Sequence, residues 1–544
     1  MTPSPDTSPN YDVFKKELNI DIESISIGTK YEDSNIFNDI AVATHYRNVY
    51  EQSKYECRHL FDPDFTWSKE EEAKVVRKND WNVTFLTFIM FTALDFDRYN
   101  ISQALSDNML DNLHMSTNDY NTANTINLVC FLVSELPSQL ISKKIGGDVW
   151  IPIQICLWSI VSMCQAAVTT KNGFYTTRAL LGLLQGGFIC DICLWMSYFF
   201  TSKELPFRLS LFYTANPLAA VWSSLLSFAL LKIKTGGIMD QSWRWLFLIE
   251  GILTLFVGIY SFFGMPPSPA QTKSWYCKDG WYTESEEKIV VNRVLRDDPS
   301  KGDMHNREPV RPKELLEVLL DFDLLPIYII RLLSDIGAQP VSTYMALTLR
   351  KLGFNTYQTN ALNIPYNVLQ AITMCLLGYF SEVINERSLL SLITPIWVLA
   401  GLLPLRFWPG AQINVWGTYA LLTILLGHPP LWALSISWCS ANSNSVRTRA
   451  VSAALVNIFS QVANITSANL YRSSDSPLYH KGNNSLIGIA CGALVSCLLT
   501  KLYYIQRNKA REKKWASFSE QEKLEYCTKT SDEGNKRLDF RFVH

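Results

Sequence analysis

Trp81-Asn-Val-Thr-Phe-Leu-Thr-Phe-Ile-Met-Phe-Thr-Ala-Leu-Asp-Phe-Asp-Arg-Tyr-Asn-Ile101 decides the class of this chain. Its apolar part is uncharged as far as Leu94, and then Asp95, Asp97 and Arg98 fall within four residues. About 20 mainly apolar residues suffice for a helix to cross hydrocarbon. A cation near the bilayer centre costs about 2.5–3.5 kcal/mol, so it is kept facing a protein interior, where it has a task. Arg178 and Arg331 repeat the pattern in two later apolar runs. Holding an anion is the obvious task for three such arginines.

Eleven more runs of this kind follow, near 122–142, 149–168, 174–197, 208–231 and 244–264, then 322–348, 358–381, 388–408, 413–436, 448–470 and 484–505. Six spans, a charged loop over 266–320 and six spans make an all-α integral membrane bundle of about twelve helices in two six-helix lobes, 80–265 and 321–505. This is the layout of the major facilitator superfamily, in which parallel repeats enclose a midplane site. Residues 1–79, rich in Ser, Asp, Asn and Glu, read as a largely disordered tail. Ser68-Lys-Glu-Glu within it reads as a helix N-cap with acids in the first turn, and 506–544 is a basic tail.

The composition agrees. Charged residues are 18%, against about 25% in soluble domains. A net charge of -1 gives nucleic-acid binding no electrostatic support. The 12 cysteines are scattered and make no secreted disulfide framework. Cys190 and Cys193 form a CxxC inside an apolar helix, read as two helix-facing thiols. The polar N-terminus has no secretory signal. No cofactor motif, metal cluster, nucleophile elbow or P-loop appears, so an enzyme is not expected.

Lys and Arg set the orientation. Lys143, Lys144, Lys203, Arg208, the run Lys273–Lys313, Arg447, Arg449 and the tail from Arg507 to Lys514 would all be cytoplasmic, with both termini inside. Lys232, Lys234 and Lys351 fall on the other side. Asn483-Asn-Ser is a glycosylation sequon in an external loop, close to the membrane.

Arg178 is the leading anion ligand, since its fork can hold a carboxylate or sulfonate through two bonds. Arg98 and Arg331 are the other candidate cations; Arg98 shares a helix face with Asp95, and Arg331 has Asp335 four residues on. Gln185, Tyr344, Asn363 and Asn367 are candidate polar walls. Proton coupling needs an acid tuned by burial or by an arginine. Asp95 and Asp97 come first, then Asp335 and Glu135, the last with an alternative role at a cytoplasmic gate. His428, before Pro429-Pro430, is either a titrating group or part of a kink. Glu250 reads as structural and remote from the cavity helices. Gly182, Gly186 and Gly187 read as close helix contacts.

Asp97-Arg-Tyr-Asn100 at the end of the first span resembles the fungal allantoate permease family, the anion:cation symporter branch of the superfamily. Phe65-Thr-Trp-Ser-Lys-Glu-Glu-Glu72 with Arg77-Lys78 resembles its pre-membrane signature. Glu135-Leu-Pro-Ser138, Ser142-Lys-Lys-Ile-Gly146, Arg178-Ala-Leu-Leu-Gly182 and Gln185-Gly-Gly187 resemble its second and fourth spans. Trp243-Arg-Trp-Leu-Phe-Leu-Ile-Glu-Gly251, Arg293-Val-Leu-Arg-Asp-Asp-Pro-Ser-Lys301 and Asp475-Ser-Pro-Leu-Tyr-His-Lys-Gly482 extend the likeness over roughly 65–505. Within the family the chain is most similar to yeast members linked to sulfonate and related sulfur compounds. It departs at Ser142-Lys143-Lys144, which lacks the Asp usual before the basic pair, and at Gln185, where many relatives have a titratable Glu.

The resemblance implies secondary active uptake of a small organic anion by alternating access, its partners being the anion, protons and the lipid bilayer, in a monomer at the plasma membrane. Sulfonates, allantoate and vitamin carboxylates share the required anionic head. The alternatives are a sensor of the same fold, or an uncoupled or organellar carrier in the endoplasmic reticulum or vacuole.

Overall fold

The computed structural model describes residues 37, 40–105, 109–230, 241–275, 277–302, 321–354, 356–384, 386–411, 413–443, 446–467, 470–471, 475, 479–519, 522, 526, 534–538 and 540–544. Two helices precede the membrane part, α1 (Ile40–Gln52) and α2 (Lys69–Asn79). The first lobe comprises α3 (Phe85–Leu105), α4 (Thr117–Ile145), α5 (Gly147–Gln165), α6 (Lys171–Gln185), α7 (Phe188–Ser197), α8 (Leu205–Tyr213), α9 (Ala215–Leu230) and α10 (Ser242–Gly264). The linker carries α11 (Glu284–Asp297). The second lobe comprises α12 (Leu325–Lys351), α13 (Thr356–Ile384), α14 (Ile393–Phe407), α15 (Val415–Leu426), α16 (Trp432–Asn442), α17 (Val446–Ser467) and α18 (His480–Ala516). Pairs α6/α7, α8/α9 and α15/α16 each make one interrupted crossing, so each lobe crosses six times.

Seven described segments are by themselves long and apolar enough to cross a membrane: Thr122–Ile145, Gly147–Gln165, Lys171–Ser197, Ser242–Gly264, Ala361–Ile384, Ser388–Phe407 and His480–Ala516. Those that fall short include α3 with Asp95, Asp97 and Arg98, α12 with Arg331 and Asp335, and α17 with Asn457 and Ser460. Asp95, Asp97, Arg331, Asn457 and Ser460 are buried inside the bundle, and Arg98 and Asp335 are partly buried, as expected of intramembrane polar residues.

The fourth and tenth crossings break at matching places in the two halves. Between α6 and α7 the chain turns at Gly186 and Gly187, the latter at φ +82°. A Cβ on Gly186 would come within 2.0 Å of Ser134 Oγ, so α4 packs here against bare backbone. The freed carbonyls find side-chain donors: Gln139 bonds Gly187 O at 2.9 Å, and Gln154 bonds Gly186 O at 3.0 Å. Between α15 and α16, Thr373 donates to Gly427 O at 2.9 Å and Thr394 to Pro429 O at 2.6 Å. Irregular backbone survives at this depth only when so satisfied. Paired interruptions in two repeats point to a site between them.

The described part of the N-terminal tail differs from the disordered segment expected over 1–79. Ser68 caps α2 in a capping box with Glu71, and the described residues from Phe37 to Trp67 pack on the linker. Phe37, Tyr50, Cys57 and Phe61 share a core with Val291 and Leu295. Arg296 lies 4.3 Å over the Trp67 ring and donates to Phe65 O at 2.5 Å. Arg293 joins Glu72 of α2 to Glu204 beside α8, at 3.4 and 2.7 Å. The sequence alone hid this, because the partners of the residues that drive the packing lie about 230 residues away. Both tails and the linker thus meet one face of the bundle, called the tail face below.

Asn483 corrects the sequon reading. It is 1% exposed and accepts a hydrogen bond from the Tyr471 hydroxyl, which leaves no room for a glycan. The side chains of Arg447 and Arg449, and the residues Lys232 and Lys234, lie outside the described part.

Candidate functional site

The site grows from α3. Asp95, Asp97 and Asn100 are all at most 1% exposed, because α9, α10 and α5 pack around this helix end. Asn216 of α9 donates to Asp95 Oδ2 at 3.0 Å and accepts from Tyr99 Oη at 3.1 Å. Ser162 of α5 donates to Asp97 Oδ1 at 2.5 Å, while Asp97 Oδ2 is buried with no hydrogen-bond donor among the described residues. Arg98 pairs with Asp95 at 3.6 Å and lies 5.2 Å over the Phe131 ring of α4.

Arg178 enters from α6 and is 5% exposed. Its backbone carbonyl accepts from Asn127 of α4 at 2.8 Å, which fixes the helix pair. Its charged neighbours are Asp97 and Arg98. Among the described residues its guanidinium forms no ion pair, and its Nε is buried without an acceptor. Gln185, 3% exposed, ends the same helix at the Gly186 break.

Glu135 of α4 is 1% exposed and accepts from Gly187 N at 3.3 Å, Cys190 Sγ at 3.1 Å and Asn457 Nδ2 at 3.0 Å. Asn457 belongs to the other lobe. A second bridge between lobes is Arg208 of α8, bonded to Asp80 at 3.0 Å and to Glu382 of α13 at 3.3 Å. Phe207 packs on Tyr379, and Tyr213 on Trp432. Apart from Tyr213 on Trp432, these contacts lie in the halves of α4, α8 and α13 nearer the tail face, so the lobes are joined there.

The second lobe has its own charge cluster. Arg331 reaches Asp335 at 3.2 Å and Ser460 at 2.9 Å, and Ser460 donates to Asp335 at 2.5 Å. It repeats the first lobe's plan, with an Asp–Arg pair on the lobe's first helix and a polar partner on its fifth crossing.

Other expected residues are placed differently. Asn367 donates to Asn363 O at 2.8 Å, and Asn363 Oδ1 is buried without a donor among the described residues. Tyr344 packs against Tyr471 and Tyr479 in an aromatic cluster at the far end of α12. His428 sits in the α15/α16 break with Nδ1 3.2 Å from Leu425 O. That is the kink reading of the double proline. Glu250 corrects its reading as remote: it is fully buried on α10 beside α3, within electrostatic reach of Asp97. Sequence reasoning also missed Asn216, Ser162, Ser460 and Asn457, which are ordinary small polar residues, and Asp191, buried between Cys190 and Cys193.

Two lobes of six crossings, joined at one face around buried charges, define a membrane transporter. The sequence profile of the Major Facilitator Superfamily matches residues 87–468, and the chain belongs to that superfamily. It is 44% identical to the Saccharomyces cerevisiae transporter YIL166C, over 98% of this chain and 99% of that one. It is 24% identical to the major facilitator-type transporter hxnP of Emericella nidulans, over 75% of this chain and 81% of that one. The solved proton:xylose symporter XylE, bound to 6-bromo-6-deoxy-D-glucose, superposes with a TM-score of 0.61 at 15% identity, covering 78% of this chain and 95% of that one, which shows the shared fold.

Proposed function

We propose that this transporter imports a small organic anion together with a proton. One observation carries the reading: Arg98 and Arg331 are paired with Asp95 and Asp335, whereas Arg178 forms no ion pair among the described residues and is 5% exposed. A buried, unneutralised cation is expensive. Holding a carboxylate or sulfonate in two charge-assisted bonds repays that cost. Asp97, with one oxygen unbonded beside Arg178, is the acid best placed to carry the proton, and Glu250 adds a second buried carboxyl nearby. Protonation of Asp97 from outside removes a negative charge near Arg178 and so strengthens its attraction for the anion. The lobes then rock, breaking the Glu135–Asn457 and Arg208–Glu382 bridges, and both ligands leave on the tail face. The excess of Lys and Arg in the loops on that face supports a cytoplasmic side there, and in this reading the uptake is at the plasma membrane.

The test is expression in yeast lacking related permeases, with growth on sole sulfur, nitrogen and vitamin sources and uptake of the labelled compound that rescues. Rescue by one anion, faster at acidic external pH and lost in Arg178→Ala, is the expected result. Uptake indifferent to pH would overturn the coupling and make Gln185 its natural cause. Rescue retained in Arg178→Ala would overturn the anion assignment.

A further inference from the structure

The last five residues of the chain, Phe540-Arg-Phe-Val-His544, lie in a groove on the tail face of the second lobe. Asn508 of α18 bonds both main-chain groups of Phe542: Phe542 N donates to Asn508 Oδ1 at 2.8 Å, and Asn508 Nδ2 donates to Phe542 O at 2.9 Å. Asn442, the last residue of α16, does the same for Val543, at 2.9 and 3.1 Å. Successive residues of an extended chain present their amides to opposite edges, so the two asparagines grip the segment from both sides. Trp438 Nε1 adds a bond to Val543 O at 2.8 Å.

The side chains are seated too. The Phe542 ring stacks on Tyr504 at 5.0 Å and lies 4.6 Å under the Arg511 guanidinium. Arg511 also donates to Phe540 O at 3.3 Å and to Asn535 O at 2.6 Å. Phe540 and Phe542 are 5% and 3% exposed. This is peptide capture by main-chain bonds with an aromatic pocket for specificity, the logic by which an extended segment is added to a sheet edge. Here paired side-chain amides take the place of the strand.

We infer that the tail face of the second lobe is a peptide-binding groove whose ligand is the chain's own C-terminal segment, and that the docked segment restrains α16 and α17 against opening of that face. The groove ties α16 to α18. Asn442 lies four residues before α17, whose Asn457 bonds Glu135 of the other lobe. Opening the tail face must move α17 away from α4, and the docked terminus holds the segment leading into it. The ligand is joined covalently to α18, so a free peptide meets an intramolecular competitor and binds poorly while the segment is docked. The inference does not depend on which substrate is carried or whether protons are.

The test uses the full chain in detergent and a fluorescent peptide of residues 534–544, read by anisotropy. Phe542→Ala and, separately, Val543→Pro, which removes the N–H donated to Asn442, should undock the tail and let the peptide bind at least about tenfold tighter than to the wild-type chain. Adding Asn442→Ala with Asn508→Ala to either variant should abolish that gain. Equal peptide affinity in the wild-type and both undocked chains, or binding indifferent to the asparagines, overturns the groove. Amide exchange over 446–467 should be faster in the undocked chains; unchanged exchange overturns the restraint.

Discussion

Asn457 of α17 donates its side-chain amide to Glu135 of α4 at 3.0 Å, from one lobe to the other. The same carboxyl collects Cys190 Sγ and Gly187 N within the first lobe. Glu135 lies ten residues from the linker-side end of a 29-residue helix, or about 15 Å at 1.5 Å per residue. A carrier that alternates must break this bond each time the tail face opens.

Removing the donor should therefore favour opening. Leaving a buried polar group unsatisfied costs about 1–3 kcal/mol, so Asn457→Ala should raise the open population by about tenfold. Cys190, fully buried against Glu135, is the natural reporter. Its alkylation by a small maleimide, followed by mass spectrometry of its peptide, should speed up by a similar factor. An unchanged rate would show that the bond does not hold the lobes together.

Arg178 and Arg331 should respond in opposite directions to the same substitution. Arg178 forms no ion pair among the described residues, so Arg178→Met removes an uncompensated buried charge and should leave the thermal midpoint in detergent unchanged or higher. Arg331 is bonded to Asp335 and Ser460, and Arg331→Met strands a buried carboxylate. Breaking a buried pair in this way costs about 3–5 kcal/mol, and the midpoint should fall by several degrees. Matching losses in the two variants would contradict the distinction between a ligand-ready and a structural arginine.

The contrast between these arginines also shows what the sequence reveals and what it hides. The twelve crossings were legible because apolar runs of spanning length and the charged interval between them are one-dimensional signals. Arg98, Arg178 and Arg331 were legible because a charge in such a run stands out. Their different states were not, since pairing is set by which helices meet. Asp335 lies one turn from Arg331 and could be guessed. Ser162, Asn216 and Asn457 reach the site from α5, α9 and α17 and look like any other polar residue in their runs. Glu250 was misplaced for the same reason, because nothing in the α10 string says that it faces α3. The tail–linker unit was missed because Trp67 and Arg296 stack over a separation that no local pattern spans.

His428 should prove dispensable for any dependence of transport on pH. Its ring nitrogen faces the Leu425 carbonyl at the α15/α16 break, and the Gly427 and Pro429 carbonyls there are bonded by Thr373 and Thr394. His428→Gln, which can keep a polar contact to the backbone, should leave the pH profile of uptake in place and change its rate by less than about threefold, equivalent to under 1 kcal/mol. A profile flattened in this variant alone would return His428 to the proton path.

Glu286 of α11 predicts how the tail-face unit responds to acid. Burial opposes its ionisation, but Lys78 at 2.7 Å, the Thr283 N–H at 2.9 Å and Lys74 at 3.1 Å outweigh it and hold the carboxyl at about 2, below its ordinary 4.5. A carboxyl lowered in the folded state stabilises it at every pH above the unfolded value, and that contribution is lost as pH falls through the folded one. Docking of the linker on α2 should accordingly be constant from neutral pH down to about 4.5 and weaken between about 4.5 and 2. Limited proteolysis of the purified chain with an acid-active protease, followed at the 266–302 segment, measures it. Glu286→Gln should be cleaved faster than wild type at the upper end of that window and should lose most of the further increase on acidification. A variant that follows the wild-type curve throughout would show that other contacts, such as Arg293 with Glu72 and Glu204, fasten the linker without help from Glu286.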